Sequence, residues 1–245
     1  MSLLTDLREL LLPRLCPVCG KLLMQNEKVL CAFCAIQLPR VRFGNLNDNP
    51  NLNANARPKV NANIYNPLLW SVWDWVDISR ATAFLVYNRF SPYHNLIIEF
   101  KFHGKSDLAI ELGRWAAMEA ERQDFWDGVD ALVPVPLTKW RRWKRGYNQA
   151  ELLAKGMAEV TGLPVVNLLR RTKNRKPQSR LKGEARIKNA EGIYEASVPD
   201  EWRGKRLVIV DDVMTTGATL ANCALALQNV DKSAKLCIFP LAYAE

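Results

Sequence analysis

The sequence predicts an α/β domain with a mainly parallel sheet, preceded by a small cysteine-rich module. From about residue 70 onward, strand-like and helix-like patterns alternate, which is typical of parallel α/β sheets. Four of the six cysteines lie in the first 40 residues, and asparagine dominates residues 45–66. We therefore expect a module at 1–44, a linker or insertion at 45–69 and the α/β domain at 70–245.

The elements of the α/β domain follow from local patterns of apolar residues. Strands are predicted at 81–87, 131–136, 207–210 and 234–242, and helices at 107–122, 148–160 and 219–229. The apolar run N-L-I-I-E-F-K-F at 95–102 is too short to separate strand from helix. The Asn-rich composition of 45–66 buries too little apolar surface to order itself, so we expect a flexible linker or a long loop there.

Chain length, apolar runs and the N-terminal residues indicate where the protein is located and how many domains it has. A chain of 245 residues is enough for one sizeable domain and an appendage. No apolar run approaches the ~18 residues of a membrane span. The N-terminus carries Asp6 and Glu9 early, unlike a signal peptide. We therefore expect a cytoplasmic protein whose thiols stay reduced.

Two Cys-x-x-Cys pairs lie close together in the N-terminal module, C-P-V-C and C-A-F-C. Their ligand atoms would be the thiolates of Cys16, Cys19, Cys31 and Cys34. Tetrahedral Zn2+ takes four such ligands at about 2.3 Å. A redox pair or unrelated thiols are the alternatives, but two pairs at this spacing favour zinc. Because four thiolates leave no open position for water, the predicted zinc site is structural.

The stretch L-V-I-V-D-D-V-M-T-T-G-A-T-L places two acids and a hydroxyl-rich loop directly after a buried strand. Asp211 and Asp212 are then expected at the carboxyl end of the sheet, where ligands bind in such folds. The loop that starts the next helix consists of Thr215, Thr216, Gly217, Ala218 and Thr219. Free backbone N–H groups and the helix dipole favour an anion there. A solvated turn with a capping residue explains one acid, whereas a phosphorylated ribose accounts for both acids and the loop.

This stretch resembles the signature of the type I phosphoribosyltransferases. The resemblance implies that residues 215–219 bind the 5′-phosphate of phosphoribosyl pyrophosphate (PRPP) and that Asp211 and Asp212 bind the 2′ and 3′ hydroxyls, with Mg2+ accompanying PRPP. It also implies a type I phosphoribosyltransferase-like fold, a mainly parallel sheet flanked by helices. A carboxylate pair near C1 would stabilise an oxocarbenium-like transition state, which makes the acids the candidate catalytic residues.

The order of the sequence blocks resembles the competence protein F family over nearly the whole chain. The blocks are the two cysteine pairs, V-P-V-P-L, K-R-G-Y-N-Q-A-E-L-L-A, R-T-K-N-R-K-P-Q-S-R-L-K-G-E-A-R-I-K-N and the acidic loop. Family members resemble phosphoribosyltransferases with an N-terminal zinc module and are associated with DNA uptake in natural transformation. The Asn-rich stretch departs from the family pattern, and we interpret it as a lineage-specific insertion.

Residues 137–190 hold 15 Lys and Arg against three Glu, a local net charge of +12, whereas the rest of the chain sums to −3. An anion is therefore the expected partner of this segment. The resemblance aligns V-P-V-P-L with a pyrophosphate loop and residues 170–190 with a mobile loop. The candidate contacts are Lys139, Arg141, Arg142, Lys144, Arg145, Gln178 and Arg186.

Aromatic residues alternate with the cations in K-W-R-R-W-K-R-G-Y. Cations neutralise phosphates and rings stack on bases, so this pattern also suits single-stranded nucleic acid. A solvated face whose Trp side chains anchor to the core is the third interpretation.

Two functions remain from the sequence. The favoured one is a competence-associated protein of DNA uptake that retains a PRPP site and binds single-stranded DNA on its basic face. Its further partners would be DNA-uptake machinery proteins at the inner face of the membrane, with which a cytoplasmic protein would associate. The alternative is an active Mg2+-dependent phosphoribosyltransferase that acts on an unidentified nucleophile.

Overall fold

The computed structural model describes residues 13–41, 66–102, 104–172 and 192–244. Most of the Asn-rich stretch lies outside these ranges. The helices within them are α1 (Ala32–Ile36), α2 (Pro67–Val72), α3 (His94–Phe102), α4 (Ser106–Glu121), α5 (Lys139–Arg145), α6 (Gln149–Thr161) and α7 (Ala218–Val230), with a 3₁₀ turn at Asp200–Trp202. The strands are β1 (Arg80–Ala81), β2 (Leu85–Tyr87), β3 (Ala131–Pro134), β4 (Leu169–Arg171), β5 (Tyr194–Ala196), β6 (Arg206–Met214) and β7 (Lys235–Ala244).

A five-stranded sheet forms the centre of the α/β domain. Its order is β1-β7-β6-β3, β2 pairs with β7 further along, and every pair is parallel. Val208 and Val210 of β6 face a core with α3, α4 and α6, whereas Leu207 and Ile209 face a core with α2 and α7. This alternation follows from the two-residue period of a strand that is buried on both faces. The predicted parallel α/β fold with helices on both faces is confirmed.

The sequence patterns did not predict two helices, one at residues 95–102, where strand and helix could not be separated, and one at residues 139–145. Residues 95–102 belong to α3, and its buried side chains, Leu96, Ile97 and Phe100, share one helix face. The segment from 139 to 145 is helix α5, although it has no buried residue. Thr138 Oγ1 accepts from the Arg141 N–H, and Gly146 ends the helix in the left-handed region. Caps at both ends therefore stabilise a helix that buries no residue.

The N-terminal module packs directly on the α/β domain. Cys16, Cys31 and Cys34 lie in the same buried cluster as Leu96 and Phe100 of α3. Backbone hydrogen bonds join the two parts, from Val41 N to Phe84 O and from Val86 N to Pro39 O. The module and the domain thus share one core.

Helix α2 spans residue 70, the predicted start of the domain. Asn66 caps it by accepting from Leu68 N, and the Asn66 amide also donates to Ala81 O at 2.7 Å. Leu68 and Val72 pack in the core with α7. Helix α2 therefore packs with the α/β domain. None of the described helices is long and apolar enough to cross a membrane.

Candidate functional site

The acid pair lies where β6 outruns one of its neighbours. β3 ends at Pro134, which pairs with Val210, whereas β6 stays paired with β7 as far as Met214. Asp211 and Asp212 are therefore the first residues of β6 beyond the end of β3, although the strand itself continues. One edge of β6 is unpaired by β3 at this point, which opens the carboxyl end of the sheet to a ligand.

The loop after β6 turns sharply into α7. Gly217 is the N-cap of α7 and has a φ of 73°, in the left-handed region. A Cβ at this position would lie 2.8 Å from Val72 Cγ1 and 2.9 Å from Met214 Cε. Helix α2 therefore packs closely against the loop. Thr215, Thr216 and Thr219 are exposed. The predicted loop residues and Asp211 line one small cavity of about 30 Å3, so they face the same space.

The two carboxylates of the acid pair have different surroundings. Asp212 Oδ2 lies 3.0 Å from Lys101 Nζ, and both side chains are 18% exposed. Asp211 Oδ1 accepts from the Asp212 backbone N–H at 2.8 Å. Burial, and then the charge of Asp212, raise the pKa of Asp211 to about 7, against the opposing charges of Lys101 and Arg171. A carboxyl whose pKa is raised in this way by burial and a neighbouring carboxyl is typical of functional sites.

Arg141 of α5 and Arg171 of β4 also approach the acid pair. Burial and the charge of Arg171 lower the pKa of Arg141, while Asp212 opposes this effect. Arg171 Cζ lies 5.4 Å from the centre of the Tyr194 ring. Neither arginine has an ion pair with a described residue. The site thus has cationic groups from α3, α5 and β4 around two carboxylates.

The other cations of α5 point elsewhere. Arg142 forms a two-point ion pair with Glu151, with both distances 3.0 Å. Lys144 lies over the ring of Trp140, and Arg145 bonds Gln149 Oε1. Lys139 is exposed and, with Arg142, lines a cavity of about 760 Å3 between the end of β3 and the β4–β5 hairpin. Gln178 and Arg186 lie outside the described residues.

α5 also presents aromatic surface. Trp143 is 82% exposed and Trp140 is 56% exposed. The interpretation in which these Trp side chains anchor to the core is therefore wrong for both. Phe102 is also exposed, and Arg145 Cζ lies 5.2 Å from its ring centre.

The four predicted cysteine ligands come together in the N-terminal module. Their sulfur atoms all lie within 4.8 Å of one another, with Cys19 exposed and the other three buried. Glu27 supports the second pair by accepting from Ala32 N at 2.6 Å and Met24 N at 2.8 Å. A cluster of four thiols of this size can hold a metal ion that prefers sulfur ligands.

The thiols of the cluster differ in acidity. Burial raises the pKa of Cys16, but backbone N–H groups of Cys31 and Cys19 outweigh burial and bring it to about 7. Burial and the neighbouring thiols raise the pKa of Cys34. Because metal ligands are thiolates, a bound cation would favour the deprotonated form at each position.

Sequence patterns did not single out Lys101, Gln149, Arg171 or Tyr194. Lys101 is the one lysine in the apolar run at 95–102. A lysine near the end of an apolar run is a weak indication that its ammonium group pairs with a carboxylate in the folded protein. Gln149 lies in the block K-R-G-Y-N-Q-A. The resemblance to the competence protein F family rests partly on this block but assigned no role to Gln149.

Comparisons with known proteins agree with this geometry. The family model "Phosphoribosyl transferase domain" matches residues 111–239. Competence protein F of Haemophilus influenzae is 33% identical over 144 residues, 57% of this chain and 63% of that protein. DNA utilization protein YhgH of Escherichia coli K12 is 34% identical over 143 residues, 56% of this chain and 62% of that protein. This chain thus spans less than two thirds of the length of both relatives.

Competence protein ComFC of Bacillus subtilis is 27% identical over 227 residues, 93% of this chain and 77% of that protein. The match therefore extends beyond the α/β domain into the region of the cysteine cluster. The chain belongs to the phosphoribosyl transferase domain family and, within it, to the competence protein F family.

Proposed function

We propose that the end of β6 and the start of α7 bind PRPP. The observation that carries the proposal is that Asp211 and the loop at 215–219 line the same cavity. The loop offers free N–H groups at a 13-residue helix and three exposed hydroxyls, which suit a phosphate. The carboxylates accept hydrogen bonds from vicinal hydroxyls, so the acids and the loop together suit a ribose 5-phosphate group.

The residues also suit the Mg2+ that accompanies PRPP. Mg2+ is bound through oxygen ligands, often one or two carboxylates together with substrate phosphates. Asp212 is ion-paired to Lys101 at 3.0 Å, so the pair as a whole is only partly neutralised. In this proposal Mg2+ supplies charge neutralisation to the diphosphate, while Asp211 and Asp212 orient the ribose hydroxyls.

Calorimetric titration with PRPP tests the site. The double substitution Asp211→Asn and Asp212→Asn removes both carboxylates with little change in shape and should abolish binding. Asp200→Asn is a matched control, because Asp200 is exposed and its ion pair is with the neighbouring Arg203. Equal PRPP affinity in the double variant and the control would refute the assignment.

The cysteine cluster, in the same proposal, holds a structural Zn2+. Four thiols within 4.8 Å support a closed site with no position for water. The cluster packs against α3 and α4, so the metal would stabilise the core that carries Lys101.

The names of the relatives support a role in DNA uptake or DNA utilisation. Trp143, at 82% exposed on a helix with five cations, supports binding of single-stranded DNA. In this proposal the protein is cytoplasmic and exchanges single-stranded DNA with DNA-uptake machinery proteins at the inner face of the membrane. Fluorescence anisotropy of a labelled oligonucleotide tests this role, and no binding at low salt would exclude a direct DNA contact.

Transfer of the phosphoribosyl group is the second candidate function. The specific observation in its favour is the carboxyl of Asp211, whose pKa is raised to about 7 by burial and by the adjacent Asp212. A carboxylate pair at C1 would stabilise positive charge that develops as the bond to diphosphate breaks. Pyrophosphate release from PRPP, with and without single-stranded DNA, decides between a transferase and a binding protein.

A further inference from the structure

Two buried side-chain donors have no acceptor within residues 13–41, 66–102, 104–172 and 192–244. They are Nε2 of Gln149 and Nε of Arg171. Leaving a buried donor unpaired costs about 1–3 kcal/mol. Native proteins therefore pair nearly all such groups, and each exception needs a physical explanation.

Hydrogen bonds link the start of the helix that carries Gln149 to the strand that carries the acid pair. Gln149 is the first residue of α6 and only 1% exposed. The preceding Asn148 donates from Nδ2 to Val135 O at 3.0 Å, and Val135 N donates to Val210 O at 2.9 Å. Two hydrogen bonds thus connect the start of α6 to the residue before Asp211.

The orientation of the Gln149 amide follows from its partner. Arg145 Nη1 lies 3.0 Å from Gln149 Oε1. A guanidinium only donates, so the amide atom facing Arg145 must be the oxygen. The NH2 group therefore points away from Arg145 with two hydrogens and no acceptor.

Arg171 approaches the same carboxylates from β4. Its guanidinium stacks on Tyr194, its strand partner, at 5.4 Å. Its charge acts on Asp211 and on Arg141, which places it beside the acid pair. Both unpaired groups are donors, so a ligand that pairs with them must offer acceptor atoms, such as oxygens.

We propose that Gln149 and Arg171 are ligand-binding residues that donate hydrogen bonds to oxygen atoms of the bound sugar phosphate. This inference rests on the proposed function, because the ligand is the one held by the acid pair. The unpaired donors lower the stability of the free protein and become paired when the ligand binds.

Gln149→Met is the main test, with PRPP affinity measured by calorimetry and the melting temperature measured without ligand. Met keeps the length of the side chain and removes the unpaired donor. We expect a loss of affinity of about tenfold without a fall in melting temperature, because Arg145 is half-buried and reaches water. Gln228→Met is the matched control, since Gln228 Nε2 already donates to Asp77 O at 3.0 Å, and its PRPP affinity should match the wild type.

Two further variants keep the proposal testable if Met disturbs the fold. Gln149→Glu retains an oxygen for Arg145 but has no NH2 donor, and Arg171→Lys retains the charge but has no Nε donor. Both should also bind PRPP more weakly. Wild-type affinity in these variants and in Gln149→Met would overturn the proposal, as would a fall in melting temperature with no change in affinity.

Failure of the proposed function is distinguishable from failure of this inference. If the wild-type protein does not bind PRPP, the proposed function fails, and inorganic phosphate becomes the probe. A phosphate-induced rise in melting temperature that is smaller in Gln149→Met supports ligand binding by Gln149. An equal rise in both proteins, or no rise in either, overturns it.

Discussion

Lys101 and Asp212 form a largely shielded ion pair of 3.0 Å between the last turn of α3 and the strand β6. The opposite end of α3 follows Tyr93, whose hydroxyl donates to Cys34 O at 3.1 Å. One helix therefore contacts the cysteine cluster at its start and the acid pair at its end. This arrangement explains why the N-terminal module and the site belong to one core.

Lys101→Met should raise the pKa of Asp211 above 7, because Lys101 is a cation that opposes the effect of Asp212. It should also destabilise the fold by roughly 1–3 kcal/mol, since Asp212 loses its partner in a shielded position. Carbon-13 NMR of the aspartate carboxyls measures the pKa. Lys105→Met is the matched control, because its pair with Glu99 at 2.8 Å is more exposed and should contribute little. Equal effects of the two substitutions would contradict the role of Lys101.

The raised pKa of Asp211 makes stability depend on pH with a definite sign. Folding moves this pKa from 3.8 to about 7, so between these values the folded protein binds more protons than the unfolded chain. The free energy of unfolding should therefore fall as the pH rises through this window. Asp211→Asn should remove this slope and add up to roughly 4 kcal/mol above pH 7.

Urea unfolding at several pH values from 4 to 8 checks this prediction through the difference between the two proteins. Asp212, Lys101 and Arg171 are common to both proteins, so the difference isolates Asp211. A variant whose stability falls with pH as steeply as the wild type would show that Asp211 does not titrate in this window.

Gly217→Ala should damage the loop that starts α7. The substitution adds a Cβ 2.8 Å from Val72 and 2.9 Å from Met214, in addition to the strain of a φ of 73°. Gly128→Ala is a matched control, because its φ is 66° and no atom lies within 4 Å of the added Cβ. We expect a loss of ~1 kcal/mol for the control and roughly 2–4 kcal/mol with weaker PRPP binding for Gly217→Ala. Similar melting temperatures would contradict the contact with α2.

Features that depend on residues close together in the sequence could be predicted from the sequence alone. The apolar run at 207–210 and the alternation of strands with helices led to the parallel sheet, and the cysteine spacing led to the cluster. By contrast, the partnership of Lys101 with Asp212 and the approach of Arg171 depend on how α3 and β4 pack, which no local pattern encodes. Helix α5 was not predicted from the sequence. This helix is capped by Thr138 and Gly146 and buries no residue, so it lacks the periodic buried side chains from which helices are predicted.

Metal removal should destabilise the whole protein. Cys19→Ser is the most informative substitution, because Cys19 is the exposed thiol and losing it disturbs packing least. If zinc is bound, the purified protein should contain about one equivalent, and the variant should lose zinc together with several kcal/mol of stability. Elemental analysis and thermal melting with and without a chelator measure both quantities. A wild-type protein that is folded and free of metal would contradict the zinc assignment.

Substitutions on α5 should separate DNA binding from PRPP binding. Trp143→Ala and Lys144→Gln change exposed side chains, and Lys144 lies over the ring of Trp140. They should therefore weaken single-stranded DNA binding while PRPP affinity stays at the wild-type level. We expect about 1–3 kcal/mol for Trp143, the usual range for one stacked base. Arg141→Gln should have the opposite pattern, because Arg141 is half-buried and approaches Asp212.

Anisotropy titrations at several salt concentrations and PRPP calorimetry on the same preparations measure the separation. DNA affinity should fall steeply with salt, and Lys144→Gln should reduce the slope by about one, because one phosphate contact is lost. Phe33→Ala is the control for an exposed aromatic side chain on the N-terminal module. If Trp143→Ala and Phe33→Ala lower DNA affinity equally, α5 is not the DNA-binding surface, since a stacking platform must depend on the ring that the strand contacts.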